Sequence, residues 1–216
     1  MPLDSSTRIL AIRHGETAWN RDTRIQGHLD IPLNEFGMAQ ASRLTEALHS
    51  ETLDAVYCSD LARARQTAQG LAAGAGLRLH EEAGLRERSF GIFEGMTWQE
   101  IALRWPEQSL RWRQRDAEFG AEGGETLAAF YARCIGTIVR IANAHKGQTV
   151  VIVAHGGVMD CLYRAATRLA LDAPRSWTLG NAAINRLLYS PEGFSLIGWN
   201  DDAHLQGLSL DEIESA

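Results

Sequence analysis

Several absences narrow the field before any motif is read. No apolar run approaches the length that crosses a bilayer, and the opening MPLDSSTR lacks the charged-then-apolar layout of a secretory signal. Three cysteines, Cys58, Cys134 and Cys161, make an odd number with no close pair, which suits a reducing cytoplasm better than a disulfide framework. Neither an HExxH nor a CxxC spacing is present, so nothing in the sequence points to a metal. Of the 21 basic residues only Lys146 is a lysine, and a net charge of -6 with a pI near 5.6 argues against general nucleic-acid binding. Low-complexity segments are also missing. The expectation is a cytoplasmic protein with no membrane and no nucleic-acid partner, its oligomeric state left open, a homodimer included. At 216 residues and 45% hydrophobic it is long enough for one α/β domain with a sizeable core.

What is present gathers around Arg13-His14-Gly15-Glu16-Thr17. Ile9-Leu10-Ala11-Ile12 before it is too short and too β-branched for a helix and reads as a buried strand. In open α/β sheets chemistry collects where strands end. A guanidinium offers a planar fork that matches phosphate oxygens, and an unprotonated imidazole is a nucleophile. On its own, RHG is equally a capping histidine beside a surface arginine.

Along the chain, Ala18 to Asp30 reads as a polar loop and Asn34 as the N-cap of a helix from Glu35 to His49, which Gly37 weakens at its start. Leu53 to Cys58 reads as a strand and Leu61 to Ala73 as a helix that carries Arg63 in its first turn. Arg63 and Arg65, two residues apart, cannot both face the same way. Leu77 to His80 reads as a short strand. Glu87 lies between Arg86 and Arg88 and is either an ion-pair residue or a general acid/base. From Met96 to Gly123, Trp98, Trp105 and Trp112 recur at seven-residue spacing in a helical stretch divided by Pro106, either packed on the core or covering the site. A long helix follows Thr126 to about His145, and Gly147 stops it. Thr149 to Ala154 is the strongest buried strand, and it too ends in His155-Gly156-Gly157. A hairpin turns around Pro191-Glu192-Gly193, and Leu210 to Ala216 form a loosely held acidic tail.

Two strand-end histidines, two arginines and a carboxylate supply the roles that a double displacement at phosphorus needs. RHGET with Asn20, then Gln26-Gly27, SDLARARQTA, LRERSFGIFEG, GGET and AHGG, in that order from Ile9 to about Leu205, resembles the histidine phosphatase superfamily, in its phosphoglycerate mutase-like branch. The resemblance implies a single three-layer α/β domain with a mostly parallel sheet, helices on both faces and a lid-like helical insertion at about 96–123. It implies His14 as the nucleophile, Arg13 and Arg63 as the phosphoryl clamp, His155 opposite His14, and Glu87 as proton donor and then base. Asn20, Gln26, Gly27, Arg65 and Gly156 would line the phosphate and substrate side. No metal and no cofactor are implied, and the partner is a small phosphoester.

Three other readings compete with this one. Cys134 to Arg140 has the C-x5-R spacing of cysteine phosphatases, but six residues at about 100° each put the two side chains on different faces of a helix. A non-catalytic phosphoester-binding member would be marked by loss of His14, Arg63, Glu87 or His155, and all are present. A cofactor-dependent phosphoglycerate mutase uses the same core residues. The expectation is a metal-independent phosphomonoester hydrolase acting through phosphohistidine.

Overall fold

A computed structural model describes residues 6–208; the acidic tail from Leu210 lies outside them. Six strands form one sheet: β1 (Thr7–Arg13), β2 (Ala55–Cys58), β3 (Leu79–Glu81), β4 (Thr149–Ala154), β5 (Ile184–Ser190) and β6 (Gly193–Asp201), in the order β3-β2-β4-β1-β5-β6. The first four of that order run parallel, and β5 and β6 add an antiparallel hairpin at one edge. β4 sits inside the parallel part with all six residues buried. That is why Val150-Val151-Ile152-Val153 reads as a continuous apolar run and not as an alternation.

Strand periodicity divides the core in two. Ile9, Ala11, Val150 and Ile152 face one side, where α6 (Leu127–Ala144) and α7 (Gly156–Thr167) bring Phe130, Cys134, Ile138, Met159 and Leu162. Leu10, Ile12, Val151 and Val153 face the other, against Leu44 of α2 (Glu35–Ala47) and Ala64, Ala68 and Leu71 of α3 (Ala62–Gly74). The result is the three-layer α/β fold with a mostly parallel sheet and helices on both faces. Cys134 is fully buried in this core, whereas Arg140 pairs with Glu82 at the surface.

Local differences from the sequence reading have physical causes. The stretch after Thr17 is not all loop: α1 (Ala18–Arg21) is one helical turn. It is too short for an apolar period, and its signal is the cap, with Thr17 and Asn20 bonding each other's backbone N–H. β2 starts at Ala55 because the Asp54 carboxylate accepts from the Thr149 N–H at 2.8 Å. β3 is shifted two residues later at its start than the expected Leu77.

The tryptophan segment is two helices, α4 (Trp98–Arg104) and α5 (Pro106–Arg113), with Pro106 opening the second. Trp105 and Trp112 each lie 5.4 Å from the Phe93 ring, and Trp98 lies 3.9 Å from Trp112. Phe93, Trp105 and Trp112, with Ile101 and Phe119, build a small core of their own, and Trp98 stays at its exposed rim. Asp160 of α7 ties this region down: its Oδ2 accepts from Arg115 at 2.6 Å and from Arg164 at 2.9 Å. Arg164 in turn donates to the carbonyls of Ala170 and Ala173 and lies over the Trp177 ring. One buried carboxylate therefore fixes both the insertion and the loop at 168–182.

Candidate active site

Parallel pairing brings three strand ends to one edge. Arg13 is level with Ala154 and Cys58 with Val153, so His14, Ser59 and His155 leave the sheet side by side. The His14 N–H still bonds the Ala154 carbonyl at 2.9 Å, and Ser59 bonds Val153 at 3.0 Å. Then Gly15 lets the chain turn against α2. A Cβ on Gly15 would lie 2.6 Å from the Gly37 carbonyl oxygen, and one on Gly37 would lie 2.0 Å from that of Glu16. Gly37, which weakens its helix, is thus required by this close approach.

His14 is 3% exposed. Its Nδ1 lies 2.7 Å from the Gly15 carbonyl. A carbonyl only accepts, so Nδ1 carries the hydrogen and Nε2 keeps a lone pair. His155, fully buried, has the opposite tautomer. Arg63 Nε donates to its Nδ1 at 3.2 Å, so the hydrogen sits on Nε2, which has no partner among the described residues. The two rings stand 5.2 Å apart at 60°. The lone pair of His14 and the N–H of His155 thus belong to neighbouring rings at the same strand ends.

Arg63 donates to the carbonyls of Gly27 at 2.8 Å and Leu29 at 2.9 Å as well, which leaves two of its five N–H groups for a ligand. Burial pulls it down to about 10, so it stays cationic at neutral pH. Arg13 is anchored through Nη1 to the Leu179 carbonyl, and its Nε is buried without a partner among the described residues. Gly156 sits against Arg13, and a Cβ there would contact Arg13 Nε at 3.5 Å. These orphan donors around the histidines are the shape of an anion site.

Glu87 resolves its two readings in favour of the cleft. Arg86 is engaged by Asp60, and Arg88 by the carbonyls of Phe119 and Glu125, so neither flanking arginine pairs with it. Its carboxylate instead accepts from the Gly157 N–H at 3.0 Å, at the N-terminus of α7, and from the Arg88 N–H at 2.9 Å. Gly157 permits this: a Cβ there would lie 2.2 Å from Glu87 Oε1.

Asn20, Gln26 and Gly27 line a cavity of about 290 Å³ together with Arg13, His14, Arg63 and Glu87. Gly27 has φ 52°, and its loop is held by Glu94, whose carboxylate accepts from the N–H groups of His28 and Phe90. Arg65 is a correction. It pairs with Glu81 at 3.4 Å, its side chain is 38% exposed, and it lines no part of the cavity. Two helical residues turn the chain through about 200°, so the buried position of Arg63 sends Arg65 outward.

Three residues not singled out from the sequence take part. Thr67 accepts from the Gly15 N–H at 3.0 Å and donates to the Arg63 carbonyl at 2.8 Å, which ties the loop after β1 to α3. Asn181 donates to the His14 carbonyl at 2.8 Å, and Arg175 lines the cavity. Thr67 stands inside the quoted motif SDLARARQTA; Arg175 and Asn181 fall in a stretch without any period. Among the described residues, no group of three or more His, Cys, Asp and Glu side chains could hold a metal ion, and no helix is long and apolar enough to cross a membrane.

Burial comes first, and the positive fields of Arg63 and Arg13 add to it, in holding His14 well below its ordinary 6.5; His155 is depressed chiefly by burial and Arg63. In the unfolded chain both titrate near 6.5, so below that pH the unfolded state binds more protons. Their contribution is present above about pH 6.5 and is lost as pH falls, at roughly 1.4 kcal/mol per pH unit per histidine. Urea unfolding between about pH 7.5 and about pH 5.5 should show this slope, and His14→Gln should lower it by about one proton. An unchanged slope in that variant would show that His14 protonates freely in the native state.

Comparisons agree with the geometry. The profile of the histidine phosphatase superfamily (branch 1) matches residues 9–202. The chain is 38% identical over 202 residues to phosphoglycerate mutase-like protein 4 of Arabidopsis thaliana, covering 92% of this chain and 86% of the relative. It is 35% identical over 208 residues to the metal-independent phosphoserine phosphatase of the same plant, covering 94% and 85%. A mycobacterial glucosyl-3-phosphoglycerate phosphatase superimposes with TM-score 0.80 at 30% identity, over 92% of this chain and 100% of that one. With its two strand-end histidines side by side and residues 9–202 matched by the family profile, this chain belongs to the histidine phosphatase superfamily, branch 1.

Proposed function

We propose that the chain is a metal-independent phosphomonoester hydrolase that passes the phosphoryl group through His14. One observation carries the reading: His14 keeps a lone pair on Nε2, its ring stands 5.2 Å from that of His155, and Arg13 and Arg63 line the same cavity as His14. In the first step His14 Nε2 bonds to phosphorus, the ester P–O bond breaks, and protonated Glu87 gives its proton to the leaving oxygen. Arg13, Arg63 and His155 donate to the equatorial oxygens as charge builds there. In the second step the Glu87 carboxylate takes a proton from water, the water oxygen bonds to phosphorus, and the P–N bond breaks. Because His14 is held well below 6.5, it needs no deprotonation at mildly acidic pH, and activity should extend into that range.

The relatives' names include phosphatase and mutase, so the fate of the phosphohistidine is the open choice. The cover supports the hydrolase: a mutase must exclude water from its phosphoenzyme, and here Trp98 on the rim is 44% exposed. Phosphate release from small monoesters should therefore exceed interconversion of 3- and 2-phosphoglycerate with added bisphosphoglycerate, and chelators should leave the rate unchanged. Mutase turnover well above phosphate release, or loss of activity in EDTA restored by a divalent ion, would overturn the reading. The three buried free cysteines support action in a reducing compartment such as the cytoplasm.

A further inference from the structure

The cleft has two lobes. The one described above holds His14, Arg13 and Arg63. Beside it lies a larger cavity of about 500 Å³, floored by Leu127, Phe130 and Asp160 and edged by Arg113 and Arg115. Glu87, Phe90, Trp98, Trp112 and Arg175 line both. The position of Glu87 on the shared wall fixes what goes where, provided the hydrolase reading holds. The phosphorus sits in the first lobe against His14. The ester oxygen must reach Glu87. The carbon side of the substrate then continues into the second lobe.

That lobe has a definite chemistry. Its arginines differ in what they are bonded to. Arg88 is bonded to the carbonyls of Phe119 and Glu125, and Arg115 to Asp160 and the Leu171 carbonyl. Arg113 and Arg175 have neither an ion pair nor a side-chain hydrogen bond among the described residues, although both line the cavity. Within the lobe Asp160 is already shared by two guanidiniums, so it does not neutralise these two. The wall between the lobes is aromatic. Trp98 lies over Trp112 at 3.9 Å and remains 44% exposed, which leaves an apolar ring face available for stacking. A three-carbon alcohol would fill little of this volume and leave that face wet.

We propose that the second lobe is a leaving-group subsite for a ring-bearing alcohol that carries its own anion, a carboxylate or a second phosphate. The anion meets Arg113 and Arg175, and the ring lies on the Trp98–Trp112 wall. Both arginines are exposed and screened by solvent, so the discrimination they give is moderate, about tenfold in kcat/KM.

Benzyl phosphate and para-carboxybenzyl phosphate test this, because they share a ring and a poor leaving group and differ in the anion. The wild-type enzyme should use the carboxylated ester about tenfold better, and better than 3-phosphoglycerate, which has the anion without the ring. In R113A/R175A the ratio between the two benzyl esters should fall toward unity; both residues are exposed and unpaired, so their loss leaves the fold intact. Equal use of the two benzyl esters by wild type, an unchanged ratio in the double variant, or preferred use of 3-phosphoglycerate would each overturn the subsite while leaving the hydrolase in place. Release of phosphate from none of the esters would overturn the hydrolase reading and the subsite with it.

Discussion

His14→Ala should release no measurable phosphate from any monoester, a loss of about 10⁴-fold or more. The size of the effect follows from the absence of a substitute. His155 is the nearest other imidazole, but its Nδ1 accepts from Arg63 and its Nε2 carries the hydrogen, so neither nitrogen offers a lone pair to phosphorus. The three thiols are buried in the core, and burial pushes the Cys58 thiol up to about 12, far from a thiolate at neutral pH. Brief exposure of the wild type to a labelled monoester, followed by quenching in base, should trap one phosphate on His14, stable to alkali and lost in acid. The alternative nucleophile that spacing offers is Cys134, six residues before Arg140. Near wild-type turnover in His14→Ala, with loss in Cys134→Ser, would show that the core position of Cys134 has been misjudged and that chemistry runs through the thiol.

What the sequence shows of this site depends on how strongly each residue's surroundings are tied to a pattern. β4 is legible because both faces of a central parallel strand are covered, so six consecutive residues are buried. That strand and the first both end in His-Gly, and the resemblance implies that His155 sits opposite His14; the parallel register of β1 on β4 brings the two together. Arg63 against Arg65 is different. Helical geometry says that only one of them faces the site, and the motif that contains both does not say which. Burial decides, since Arg63 is 1% exposed while Arg65 pairs outward with Glu81. The tryptophan segment is legible in part: Pro106 divides it into two helices as its chemistry requires, but the spacing does not show that Trp105 and Trp112 meet around Phe93. Arg175 and Asn181 leave no trace in any pattern. Their loop is held by Arg164 through two carbonyls, and backbone acceptors have no sequence signature.

Replacing Glu87 with glutamine should separate the two chemical steps. The side chain lies against Gly157, where any Cβ would collide with it, and two backbone N–H donors orient it. Glutamine keeps the length and one acceptor oxygen but can neither donate a carboxyl proton nor take one from water. For an alkyl monoester, whose alkoxide leaves poorly, the first step itself should slow by about 10²–10⁴-fold, the usual worth of a positioned general acid. For para-nitrophenyl phosphate the leaving group needs little help, so His14 should still be phosphorylated quickly. Water attack on that phosphohistidine is the same for every substrate and still lacks its base. The variant should therefore give a burst of about one equivalent of nitrophenol and then a slow steady rate, with labelled phosphate held on His14. The alkyl ester should give no burst, because there the first step limits. If Glu87 only braces the N-terminus of α7, glutamine would disturb both substrates alike. Equal losses for the alkyl and aryl esters, with no burst from the aryl one, would remove Glu87 from proton transfer and leave the leaving oxygen to be protonated by a different group or by solvent.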